Sequence, residues 1–294
     1  MTSSNVFQFK KLDTIGNPSA ESDSQFLYEC FIDNGELGIL RNTSDERGIV
    51  IGRTGAGKTA LLKMLSEYEE RSISLDPQHL ALSYISNSTV IRFFESLNIR
   101  MDIFYKLLWK HVFVVEILKR HLNLNSEEDR ISAFENLRFT VLRKKAHKDA
   151  FAYLNIWGTS FWETTENRIQ EITRRIETDL KATADVNIHD FINLGIEGVN
   201  KLSEEQRREI TQRGQEVINR TQMSKLSLLF QALDEEILTD PKKKYLIIID
   251  CLDENWADDS IRYRLIRALI ETMREINSKI RFAKVIIALR SDLL

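Results

Sequence analysis

The sequence predicts an α/β protein, a three-layer sandwich built on a parallel sheet and interrupted by a large all-helical insertion. Three observations carry this. The apolar stretch Gly48-Ile49-Val50-Ile51 runs into a glycine-rich turn, Gly52 to Thr59, and then into the helix-like run Ala60-Leu61-Leu62-Lys63-Met64-Leu65. Far along the chain, Tyr245-Leu246-Ile247-Ile248-Ile249-Asp250 is an unbroken apolar run that ends on a carboxylate. Phe282 to Leu289 is a second such run, and it ends on Arg290. Short unbroken apolar runs fit strands buried on both faces, as in parallel sheets with helical crossovers. Ligands of open α/β sheets bind beyond the carboxyl ends of the strands, where these polar residues stand.

Composition sets the outer bounds. The chain has 294 residues, 43% of them apolar and 29% charged, enough for a sizeable core in one large domain or two. A formal charge of −3 argues against non-specific nucleic-acid binding through the whole surface, though a local basic patch is compatible with it. With 11 Gly and 3 Pro, no long flexible linker is written into the chain. Cys30 and Cys251 lack metal-ligand spacing and read as reduced thiols. The polar start, Met1 to Lys11, is no signal peptide, and no run of 18 apolar residues suggests a membrane span. The cytoplasm is the expected compartment.

Taken in order, residues 1–22 are a polar lead-in. Phe26, Leu27, Cys30 and Phe31 suit a short helix ending near Asn34-Gly35; Leu37, Ile39 and Leu40 fit either a further helical turn or an extended piece. Arg41 to Arg47 is a polar turn into the first strand. The helix after the glycine-rich loop should run from about Lys58 to Glu70. Ser72 to Leu75 and Leu80 to Ile85 are two candidates for the second strand, separated by Asp76-Pro77. From about 88 to 240 the pattern turns helical. Phe93 to Leu118 is densely apolar, with Trp109 and His111 inside it, and His111 reads as a packed residue. His121, His147 and His189 share no metal spacing. After a polar break at Asn123 to Arg130, helices are expected over 131–153, around Ile169, Ile172, Ile176 and Leu180, and over 203–238. Between the first two stand Trp157, Gly158, Phe161 and Trp162. The narrow stripe Ile169 to Leu180, flanked by charges, resembles a coiled-coil arm more than a core helix. The block reads either as an insertion for partners or regulation, or as a helical cover on the core. The predicted organisation is therefore 1–87 and 241–294 as two parts of one core, with 88–240 inserted between them.

The chemistry sits at the strand ends. Gly52-Arg53-Thr54-Gly55-Ala56-Gly57-Lys58-Thr59 is G-x-x-x-x-G-K-[ST] with a strand before it and a helix after it. Glycines let a loop aim successive backbone N–H groups at phosphate oxygens, and the helix that follows adds the positive end of its dipole. With Ala60 these residues are the expected triphosphate cradle. Lys58 would lie against the β- and γ-phosphates, and Thr59 and Asp250 would hold Mg²⁺. Hydrolysis needs a carboxylate to polarise the attacking water, and Asp253 or Glu254 can supply it; capping of the next helix is the competing role. That helix is expected over Ile261 to Ile276, with Leu265, Ile266, Leu269, Ile270 and Met273 buried. Arg290 is placed to sense the γ-phosphate, in cis or across a subunit boundary, or to pair with Asp292 or Asp253.

These residues resemble the ASCE division of P-loop ATPases, which contains the AAA+ and STAND proteins. The pattern Ile247-Ile248-Ile249-Asp250-x-x-Asp253-Glu254 is similar to the STAND/NACHT and KAP versions. In AAA+ proteins a glutamate directly follows the Asp, and here Cys251 stands there. More closely, the chain resembles a family of bacterial P-loop ATPases found on prophages and mobile elements. The matching segments are Ala20-Glu21-Ser22-Asp23, the glycine-rich loop, Leu252-Asp253-Glu254-Asn255-Trp256, Arg262 to Glu271, and Ala288-Leu289-Arg290-Ser291-Asp292. The resemblance implies ATPase activity, a preference for ATP over GTP and a role in phage or plasmid conflict. It also implies a sheet order of 5-1-4-3-2. The chain stops at Leu294 directly after the sensor strand, so either the sheet is one strand short or, the expected case, the chain is an amino-terminal part of a longer protein.

The expected function is an Mg²⁺-dependent ATPase switch acting through itself as a homo-oligomer or through another protein at the helical block. The alternatives are a nucleic-acid motor or loader and, third, a small-molecule kinase. The second would use the clusters Arg138, Arg143, Lys144, Lys145 and Lys148, Arg174-Arg175, and Lys242 to Lys244. No membrane partner is expected.

Overall fold

Four short strands pair into one parallel sheet. The computed structural model describes residues 27, 29–80, 82–123, 127–142, 165–183, 196–220, 223–254 and 256–291. β1 is Ile49–Gly52, β2 Ser72–Leu75, β3 Tyr245–Ile249 and β4 Ala283–Arg290. Their order is β1-β4-β3-β2, so the two late strands lie between the two early ones. Register partners stand 174 positions apart across β2 and β3 (Ser72 and Leu246) and 238 apart across β1 and β4 (Ile49 and Ile287), and the long helical stretch leaves from β2 and returns at β3. The β1-to-β4 part of the order matches the 1-4-3-2 expected above.

The apolar runs explain the two middle strands. Every residue of β3 is buried, as is every residue of β4 before Arg290. Alternate side chains go to opposite faces. Leu246, Ile248, Ile286 and Ala288 join one cluster with Leu37 and Leu40 of α1 (Glu36–Arg41) and Leu61, Leu62 and Leu65 of α2 (Lys58–Tyr68). Ile247, Ile249, Val285 and Ile287 join the other, on the opposite face. Each fully buried Leu, Ile or Val side chain among these contributes roughly 1.5–3 kcal/mol of hydrophobic stabilisation. β1 is an edge strand, and Ile51 is half-exposed.

Helices cover the second face. A 3-10 turn, Pro77–Leu80, follows β2 and leads to α3 (Leu82–Asn87) and α4 (Thr89–Ser96). α5 (Asp102–Leu122) packs on β2, β3 and the helix between β3 and β4. α6 is Glu127–Leu142, α7 Thr165–Thr183, α8 Ile196–Lys201, α9 Glu204–Arg220 and α10 Met223–Ala232, and a π-helical turn, Leu233–Ile237, extends α10. α11 (Asp259–Lys279) returns the chain to β4. Trp109 Nε1 donates to Leu265 O at 3.0 Å and fixes α5 against α11. His111 is completely buried, the packed residue expected. α5 and α11 therefore act as the sheet's own second layer, so this part of the helical stretch is a cover continuous with the core.

Several local expectations change. Leu80 to Ile85 is no strand: Leu82 and Ile85 are buried at helical spacing and begin α3, after the 3-10 turn that Pro77 opens. Leu37 and Leu40 fall on a helix, the first of the two options left open. α7 does not project as an arm. It packs against α3, α4, α5 and α9, and Thr173 is fully buried. The segments 1–26, 143–164 and 184–195, with His147, His189, Asn255 and Asp292, lie outside the described residues.

Candidate functional site

All the residues expected to do chemistry at the strand ends meet at the carboxyl edge of the sheet. The register decides this. Gly52 lies opposite Arg290 across β1 and β4, and Leu75 lies opposite Ile249 across β2 and β3. The loop after β1, the acidic loop after β3, the end of β4 and the turn after β2 therefore share one edge.

The glycine-rich loop occupies residues 53–57 and is exposed throughout. Gly55 and Gly57 have φ of +77° and +85°, a region that costs a side chain roughly 1 kcal/mol or more, which explains glycine at both. A Cβ on Gly52 would come within 3.1 Å of Ala56 Cβ, so the loop folds closely over its own start. Ala56 N donates to Arg53 O at 3.1 Å and closes the turn. Thr54 is exposed beside it, and Ala60 lies in the first turn of α2. Gly57 caps α2 without a side-chain hydrogen bond, so no side chain competes for the N–H groups of its first turn. Lys58 Nζ donates to Gly52 O at 3.1 Å and Arg53 O at 3.0 Å, which folds the ammonium back along the loop.

Thr59 and Asp250 touch. Thr59 Oγ1 donates to Asp250 Oδ2 at 2.8 Å, and Cys251 N donates to Asp250 Oδ1 at 2.9 Å. The carboxylate is thereby aimed at the loop. A hydroxyl and a carboxylate in contact are hard oxygen donors of the kind Mg²⁺ takes, with phosphate and water oxygens completing its shell. Among the described residues no group of three or more His, Cys, Asp or Glu could hold a metal ion by itself.

The acidic loop is anchored at both ends and open between them. Leu252 and Trp256 are buried, and Trp256 Nε1 donates to Leu252 O at 3.1 Å. Asp253 and Glu254 stand out between these anchors. Cys251 carries a φ of +60°, uncommon for a residue with a side chain and of the kind that clusters at functional sites. Its thiol is pushed up to about 12, first by burial and then by the Asp250 and Glu254 charges, so it stays protonated and is no nucleophile.

The partners of the two exposed carboxylates differ. Arg290 Nη1 donates to Asp253 Oδ2 at 3.2 Å, one of the two ion pairs expected for this arginine. Glu254 accepts from the Gln78 carboxamide. Sequence reasoning missed Gln78. The available signal was Asp76-Pro77, which stops β2 and leaves the next residues at the same edge.

The basic clusters show a different character. Arg138 pairs with Glu135, Arg175 with Glu171 and Lys243 with Asp240, the pattern of solvated, locally balanced faces. Residues 143–148 lie outside the described residues. No helix among the described residues is long and apolar enough to cross a membrane.

No family model matches the chain, and no solved structure matches it. The chain is similar to a protein of Escherichia coli (strain K12) described as a transposon gamma-delta 80.3 kDa protein. The two are 26% identical over 295 residues, which cover 96% of this chain and 34% of that protein. The chain thus spans about one third of the length of this curated relative.

Proposed function

We propose that this chain is a P-loop ATPase core that binds ATP with Mg²⁺ and hydrolyses it to drive a conformational switch. The observation that carries the reading is the Thr59–Asp250 contact at 2.8 Å, made directly behind a glycine-rich loop and at the same sheet edge as Arg290. A loop that presents backbone N–H groups and a lysine, beside a paired hydroxyl and carboxylate, suits a triphosphate with its metal better than a single phosphate.

In this reading the loop N–H groups and Lys58 hold the β- and γ-phosphates, and Lys58 exchanges its bonds to Gly52 O and Arg53 O for phosphate oxygens. Thr59 and Asp250 hold the Mg²⁺, which when bound neutralises charge developing on the phosphates. Asp253 or Glu254 orients a water for in-line attack on the γ-phosphorus. The bond from that phosphorus to the bridging oxygen breaks, and ADP and inorganic phosphate leave. Arg290 leaves Asp253 for the γ-phosphate, so the ion pair is remade after phosphate departs. This exchange at the end of β4 is the switch. The likeness to a transposon protein supports a place on mobile elements, with a homo-oligomer or another protein as the element that reads the change.

Calorimetric titration with ATP tests the reading, and binding that requires Mg²⁺ together with phosphate release is the expected result. Absence of Mg²⁺-dependent nucleotide binding by the purified protein would overturn it.

A further inference from the structure

The amino edge of the sheet, opposite the glycine-rich loop, carries a polar cluster that ATP hydrolysis does not use. β2 and β3 start there side by side, with Ser72 opposite Leu246 and Leu246 N donating to Arg71 O at 3.3 Å. α5 ends at the same place. Its Arg120 donates to the backbone carbonyl of Glu70, and its His121 Nδ1 lies 2.8 Å from the Tyr245 hydroxyl. Tyr245 is buried, and its hydroxyl also accepts from Arg71. The phenol then gives its one proton to His121 Nδ1, which leaves Nε2 as the N–H donor of a neutral ring.

The field at this ring is positive. Burial first, and then the charges of Lys243 and Arg71, hold His121 below the ordinary imidazole range. The carboxylates nearby are loosely engaged. Glu70 Oε2 is 3.4 Å from Arg71 Nη1 and Asp240 Oδ2 is 3.7 Å from Lys243 Nζ, with Glu70 and Lys243 both exposed. Exposed pairs of this kind are worth at most about 1 kcal/mol, so an incoming anion displaces them at little cost. Arg120, also exposed, meets a carbonyl rather than a carboxylate.

We propose that Arg71, Arg120, His121 and Lys243 form a binding site for a phosphate group at the amino edge of the sheet. Guanidiniums suit phosphate because their forked N–H groups match two of its oxygens at once. The neutral imidazole adds a donor without a further charge to desolvate. A phosphodiester of a nucleic-acid strand and a free phosphate ester offer the same oxygens, and the test separates these two sources. The site lies at the far end of β2 and β3 from the glycine-rich loop, so filling one leaves the other accessible.

The test takes the full chain and two probes, a labelled single-stranded oligonucleotide followed by fluorescence anisotropy over a salt series, and inorganic phosphate followed by calorimetry. Arg120→Gln and Lys243→Gln should each weaken binding roughly three- to tenfold, whatever the base sequence of the oligonucleotide. Each should also lower the slope of log K against log salt by about 0.7, the share of one phosphate contact on a single strand. A loss in the variants for the oligonucleotide assigns the site to a nucleic-acid backbone; a loss for inorganic phosphate alone assigns it to a free phosphate ester. Phosphate held only by the glycine-rich loop would be unaffected by either variant. The urea midpoint shows that the variants fold, and Lys243→Gln decides alone if Arg120→Gln does not. Failure of both probes to bind, or binding that the folded variants leave unchanged, overturns the inference. So does binding of a polyglutamate peptide in place of both probes, which would make the edge a site for acidic protein. All these outcomes leave the ATPase reading of the opposite edge standing.

Discussion

Thr59 Oγ1 lies 2.8 Å from Asp250 Oδ2, a contact between residues 191 positions apart. One stands in the first turn of α2 and the other just past β3, and the insertion of β3 and β4 between β1 and β2 brings them together. If this pair holds Mg²⁺, Asp250→Asn keeps the shape and removes the charge the metal needs. The expected outcome is phosphate release reduced roughly 10²-fold and a higher Mg²⁺ concentration for half-maximal rate. A magnesium titration of the variant against wild type reads both. An unchanged magnesium requirement would remove Asp250 from the metal site.

Lys58 separates stability from function. Its ammonium bonds to the part-buried carbonyl of Gly52 at the end of β1 and to the exposed carbonyl of Arg53, beside open solvent where water can replace such bonds at little cost. Lys58→Ala should therefore leave the urea midpoint almost unchanged, with a stability difference below about 1 kcal/mol. A charge-assisted bond to phosphate is worth about 1.5–3 kcal/mol, so ATP affinity should fall roughly ten- to a hundredfold. Displacement of a fluorescent ATP analogue measures the loss. An unaltered affinity would mean that Lys58 does not reach the phosphates.

How far the fold could be read from the chain depended on the kind of signal at each place. β3 and β4 were legible because unbroken apolar runs have few uses other than a doubly covered strand. Leu80 to Ile85 misled because a mostly apolar run of six residues has no period long enough to separate strand from helix. In the fold, the buried pair Leu82 and Ile85 resolves it as α3. The loop residues 52–59 and Asp250 were legible as a candidate site because glycines, a lysine, a threonine and a carboxylate at strand ends are recognisable from the local sequence. Gln78 was not, because its meeting with Glu254 spans 176 positions and exists only through the pairing of β2 with β3. The left-handed backbone at Cys251 was equally hidden, since no residue type there announces it.

Gly48, just before β1, has a steric reason to be glycine. A Cβ there would lie 2.4 Å from Val285 O, 2.8 Å from Asn277 Nδ2 and 3.3 Å from Met273 Sδ. The first obstacle is backbone of the central strand. The second is a side chain held by two bonds, Val285 N to Asn277 Oδ1 at 2.7 Å and Asn277 Nδ2 to Val285 O at 3.0 Å. Neither can yield cheaply. Gly48→Ala should destabilise the fold by about 1–3 kcal/mol, the range for overpacked sites. Urea unfolding followed by tryptophan fluorescence gives the value, and a neutral result would show that β1 can slide away from β4.

Lys284 yields a prediction in pH. It sits in the middle of the sheet, is completely buried, and gives its ammonium to Ile39 O at 2.8 Å and Asn42 O at 2.9 Å, clasping the end of α1. Burial lowers its pKa from 10.5 to about 8, against a smaller opposing pull from Asp45. The folded state thus releases this proton at lower pH than the unfolded chain does. Below pH 8 both states carry it, and the cost of burying the charge is fully present. Between about 8 and 10.5 the unfolded state holds the proton that the folded state has lost, so stability from this group rises with pH. Other groups titrate in the same window, and Lys284→Met removes this one while sharing the rest. The variant gives up both carbonyl bonds at every pH but never bears the buried charge. Its deficit relative to wild type should therefore be smallest near pH 7 and grow towards pH 10.5. Denaturant midpoints for the two proteins at a series of pH values check this, and a deficit that does not change with pH would mean Lys284 stays charged in the sheet.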